Sequence, residues 1–65
     1  MPLFTFYPRR ADGSSTAFES IEQRDDADAL QRARQVLAEH PSAVEVVVWH
    51  GERRVGATRR TAPAA

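Results

Sequence analysis

Residues 26–49 read DADALQRARQVLAEHPSAVEVVVW, and the spacing of the apolar residues changes once within them. Up to Glu39 the period is helical. Ala29, Leu30, Ala33, Val36, Leu37 and His40 share one face, and Asp28, Gln31, Arg32, Gln35 and Glu39 fill the other. Asp25 or Asp26 suits the N-cap, Asp28 adds acid to the first turn, and Asp28 with Arg32 makes an i,i+4 pair. Pro41 stops the helix near His40. Residues 43–49 then form the strongest strand of the chain.

Working outward, His50-Gly51 reads as a two-residue hairpin turn, with residues 52–59 returning as the last strand. That register pairs Trp49 with Glu52, Val48 with Arg53, Val47 with Arg54, Val46 with Val55 and Val44 with Ala57. It gives Val44, Val46, Val48, Val55 and Ala57 to the face that meets the helix. Upstream, residues 3–8 are rich in β-formers, with Phe4 and Phe6 on one side and Leu3, Thr5 and Tyr7 on the other. Pro8 marks a strand end or an edge position. Residues 10–15 form a turn in which Gly13 supplies positive φ, and residues 16–22 form a second strand. Phe18 and Ile21 fall on opposite faces of it unless a bulge intervenes. The tail, residues 61–65, is expected to fray.

The fold class is therefore α+β in the order β-β-α-β-β, with one helix on one face of a four-stranded antiparallel sheet. A right-handed crossover places the first strand beside the third, giving the strand order 2-1-3-4. Residues 1–60 make one small domain, and no repeat or linker divides them.

The chain has 65 residues, a formal net charge of zero and no Cys. A disulfide framework and thiolate chemistry are thus excluded. No window approaches the apolar length of a membrane span. Met1 leads into Pro-Leu-Phe-Thr-Phe without a basic start or a long apolar run, so no secretory signal is expected and the cytoplasm is the expected compartment. A core this small leaves a thin margin, which a partner or a second copy commonly widens. All the basic residues are Arg, which suits carboxylates, phosphates and aromatic faces, and which also fits a coding bias towards Arg and Ala. The charge is segregated: residues 11–28 are acidic, whereas residues 1–10 and 50–65 are basic.

A single helix leaves the other sheet face uncovered. Leu3, Thr5, Tyr7, Glu45, Val47, Trp49, Arg54 and Gly56 are expected there. Trp, Tyr and Arg are enriched in binding hot spots, and Arg54 can stack diagonally on Trp49. Leu3, Tyr7, Val47 and Trp49, with Glu45 and Arg54 on the rim, are the expected partner-binding residues, most simply for a homodimer. A flat amphipathic surface on a small exposed sheet is the plainer reading of the same rings. A sheet edge is the other contact available to a protein partner, with acidic β2 meeting basic β4.

Neither His40 nor His50 has a metal-ligand spacing around it, so structural roles are expected for both. Ser14 and Ser15 lack a base nearby in sequence. Asp25, Asp26 and Asp28 read as helix-cap acids rather than cation ligands, and Asp12-Gly13 falls short of a calcium loop. No Gly-rich phosphate loop is present. No enzyme activity, metal or cofactor is therefore expected, and no membrane partner. The rival function is single-stranded nucleic-acid binding, on Tyr7 and Trp49 flanked by Arg9, Arg10, Arg53, Arg54, Arg59 and Arg60. The neutral balance of charge counts against it.

Pro2-Leu3-Phe4-Thr5-Phe6, the Asp12-Gly13 turn and the Ala-rich helix Asp26–Glu39 resemble a family of short uncharacterised bacterial β-β-α-β-β proteins. The first three elements are also similar to the HicB-type antitoxin domain, a likeness that implies an inhibitor which binds a small toxin and often dimerises. The segment expected after the second strand of such a domain is replaced by Gln23-Arg24-Asp25-Asp26, and no DNA-binding extension follows the last strand.

Overall fold

The structure is a computed structural model, and it describes residues 2–15 and 17–60. The expected tail lies outside the described residues. The elements are β1 (Leu3–Arg9), β2 (Glu19–Glu22), α1 (Asp26–Glu39), β3 (Glu45–His50) and β4 (Arg53–Arg59). The four strands form one antiparallel sheet in the order β2-β1-β3-β4, with the helix on one face. Fold class and strand order are those read from the sequence.

The helix begins where the residues dictate. Asp25 is the N-cap, with extended backbone, and its carboxylate accepts from the Asp28 amide at 2.9 Å. Asp28 does not pair with Arg32. It takes Arg24 instead, four residues back, at 3.1 Å, and Arg32 donates to Gln35 at 3.0 Å. Ala29, Ala33, Val36 and Leu37 are buried against Phe4, Phe6, Ala43, Val46 and Val48. Small Ala residues in the helix let it approach the sheet closely, while the central strands β1 and β3 supply the bulk.

Pro8 departs from expectation, because it is fully buried in a central strand. The reason is geometric. The Val44 amide donates to the Arg9 carbonyl at 2.8 Å, so the Arg9 backbone faces β3. One residue back, the Pro8 backbone faces the β2 side, where the ladder ends at Glu19 opposite Phe6. The missing N–H therefore leaves no ladder bond unmade.

The β3–β4 hairpin also departs from expectation. The turn is Gly51-Glu52, one residue later, with His50 opposite Arg53 and Trp49 opposite Arg54. Gly51 has φ +62°, as a II′ turn requires at its first central position. A bulge follows, and Val48 lies opposite Gly56, Val47 opposite Ala57 and Glu45 opposite Arg59. Val55 is the extra residue and packs on the core. A slip of two residues alone would have kept every face, but the bulged residue inverts the far half of β4. Gly56 thus faces the helix, where a Cβ would lie 3.1 Å from Leu30 Cδ2, and Ala57 faces away.

The far end of the helix is closed by a distant residue. Arg60 donates through Nη2 to the carbonyls of Leu37 (2.7 Å) and His40 (3.2 Å), and through Nε to that of Ala43 (3.2 Å). The last turn of the helix has no basic residue of its own, so Arg60 supplies the cation that the helix C-terminus favours. Arg60→Ala is expected to lower stability by about 1–2 kcal/mol, read as an earlier urea midpoint with an unchanged slope.

Candidate interaction face

The helix-free face is ordered by register into rows that cross the strands. One row holds Ser20, Thr5, Trp49 and Arg54, and the next holds Tyr7, Val47 and Ala57. Phe18 extends the second row, its ring 5.8 Å from that of Tyr7. A further row holds Arg9, Glu45 and Arg59, and Leu3 lies beside Glu22 at the opposite end. Of the eight residues expected on this face, the six expected partner-binding residues, Leu3, Tyr7, Glu45, Val47, Trp49 and Arg54, are all on it, as is Thr5. Gly56 is not, for the reason given above. Arg54 lies directly across from Trp49 rather than diagonally.

Exposure separates these residues by role. Leu3 and Phe18 are 53% and 63% exposed, and Tyr7, Trp49 and Glu45 are half-buried. Val47 is only 5% exposed. It is therefore the floor of the face, largely covered by its own neighbours. Tyr7, Trp49, Arg9 and Arg54 rise around it and enclose an open groove of about 610 Å³. Arg9 is held towards the turn, donating to the Gly13 carbonyl at 3.2 Å. That turn is itself fixed by Asp12, which accepts from the Ser14 hydroxyl at 2.6 Å and the Ser14 amide at 2.9 Å. Those two bonds hold the Asp12 carboxyl below its usual range.

Phe18 and Ala57 are not among the expected contact residues of this face, and Arg9 is expected only as a flank of the nucleic-acid surface. For Phe18 the signal is present in the sequence: strand parity sets it opposite Ile21, and Ile21 packs on the core side. No bulge intervenes between them.

The two histidines sit elsewhere. His40 donates from Nδ1 to the Val36 carbonyl at 2.7 Å and ends the helix. His50 closes β3 on the helix side, its ring stacked on Phe4 with centroids 4.8 Å apart. Its Nδ1 accepts from Arg53 at 3.3 Å, and Arg53 grips both oxygens of Asp26 at 3.0 and 3.1 Å. This clasp ties the hairpin to the start of the helix. The hydrogen bonds from Arg53 hold the Asp26 carboxyl below its ordinary value of 3.8. A depressed carboxyl stabilises the fold above its unfolded pKa, and that contribution is lost as pH falls from about 4 through the lower folded value. Asp26→Asn is thus expected to lower the thermal midpoint at pH 7, by an amount that shrinks as pH falls below about 4, as checked by paired melts across that range.

No family model, curated protein or solved structure matches the chain. Among the described residues no group of three His, Cys, Asp or Glu side chains converges on a common point, and no helix is long and apolar enough to cross a membrane.

Proposed function

We propose that the protein is a small non-enzymatic interaction module that self-associates through the helix-free face of its sheet. The observation that carries this reading is the apolar row of Phe18, just before β2, and Tyr7, Val47 and Ala57 on β1, β3 and β4, with Trp49 beside it and Leu3 exposed nearby. A sheet face turned to water is ordinarily polar along its strands. The face measures roughly 19 by 24 Å, from four strands about 4.8 Å apart and seven residues of about 3.4 Å each. That area lies at the low end for specific contacts, so a micromolar dissociation constant is expected. Sedimentation velocity from low to high micromolar concentration, with Trp49 emission followed in parallel, tests the reading. A monomer–dimer transition with a blue-shifted indole is expected, and a monomer at every concentration overturns it.

One observation favours a second reading. Arg9 and Arg54 line the same groove as Tyr7 and Trp49, which is the composition of a stacking platform for single-stranded nucleic acid. Oligonucleotide binding that weakens steeply with salt would support this reading, whereas a contact between copies that rests mainly on the apolar row weakens far less.

A further inference from the structure

We infer that two copies pair about a two-fold axis parallel to the strands, so that β1 of each lies on β3 of the other and β2 lies on β4. This rests on the self-association proposed above and adds its geometry. Aligned sheets keep their strand directions within about 30°, so the rows of the two faces stay in approximate register. Two in-plane two-fold arrangements are then possible, and the order β2-β1-β3-β4 decides between them.

With the axis along the strands, large residues meet small ones. Phe18 lies on Ala57 of the second copy, and Tyr7 lies on the Val47 floor. Trp49 meets Thr5. The charged row is complementary too, because Arg9 meets Glu45 of the second copy and Glu45 meets Arg9. Arg54 is placed beside the acidic β2 edge, near Glu22. Two like-charge approaches remain: Glu22 nears the hairpin turn that carries Glu52, which Arg54 adjoins, and Arg59 lies one strand from Arg9 of the second copy, with Glu45 between them.

With the axis across the strands, each strand lies on its own copy. Phe18 would then meet Phe18 and Ala57 would meet Ala57, leaving a clash at one edge and a gap at the other. Arg59 would meet Arg54, and Glu45 would be pressed on the indole of Trp49. Packing density and charge both reject that arrangement.

Mixing variants tests the axis. Arg9→Glu and Glu45→Arg each place like charges together in a homodimer, and each alone is expected to weaken association roughly tenfold or more. Mixed in equal amounts, they restore opposite charge at both contacts. The carboxylate introduced at position 9 faces the guanidinium introduced at position 45, and the native Glu45 of the first variant faces the native Arg9 of the second. Native mass spectrometry should then show heterodimers, with affinity restored to near that of the unaltered protein. Arg34→Glu mixed with Glu39→Arg, on the outer face of the helix, carries the same net charges and should show no such preference. Phe18→Ala mixed with Ala57→Phe repeats the test by size, at two exposed positions where folding is not at stake. Failure of both mixtures to restore dimers, while the unaltered protein dimerises, overturns the axis and spares the face. A monomeric unaltered protein overturns the face itself.

Discussion

Phe6→Ala is expected to leave the chain unfolded at room temperature. Phe6 is fully buried in the central strand β1, among the Val and Ala residues that make up most of the core. Truncating such a ring costs about 3–5 kcal/mol through lost burial and the cavity left behind. A domain below roughly 70–80 residues commonly has only about 3–5 kcal/mol to lose. The two figures coincide, so the native population should collapse rather than shrink. Loss of the far-UV circular dichroism minimum and of amide chemical-shift dispersion would record it. Phe18→Ala removes the same side chain from an exposed site and should keep both signals, which separates burial from aromaticity as the cause.

The second large effect concerns association. Trp49→Ala is expected to raise the dimer dissociation constant by about thirtyfold or more, corresponding to about 2 kcal/mol, the usual threshold for an aromatic hot spot. Trp49 lines the groove and stands outside the core, so the secondary structure should persist. Gln35→Ala, on the exposed side of the helix, should leave association unchanged. Equal affinities for the two variants by sedimentation would remove Trp49 from the interface. Val47→Glu is unsuitable for this purpose: with only 5% of the residue exposed, its carboxylate would be buried within its own subunit and would unfold it.

The class of fold is legible in the sequence because each element announces itself locally. The helix has its period and its cap, Pro41 ends it, and Gly13 and Gly51 mark turns in which each adopts positive φ. Strand order follows from the handedness of one crossover. Register does not follow, because a turn displaced by one residue and a bulge at Val55 are both invisible to an alternation count. Gly56 and Ala57 exchange faces as a result. The six expected contact residues keep their face because five of them sit on β1 and β3, away from the inverted part of β4, and Arg54 precedes the bulge. Val47 reads as exposed because parity reports a face and not its cover. Arg60 gives no local signal, since its partners lie 17 to 23 residues away.

That last separation bears on how the molecule comes apart. The Leu37 and His40 carbonyls at the end of α1 have local amide donors, and they gain a charged second donor only when the chain beyond β4 has come home. Fraying of the final strand therefore takes the charged cap from the helix terminus as well, which couples the two openings. Amide protons near Leu37 should then exchange with those of β4 as one cooperative unit, making the molecule a single foldon rather than a hairpin with a detachable helix.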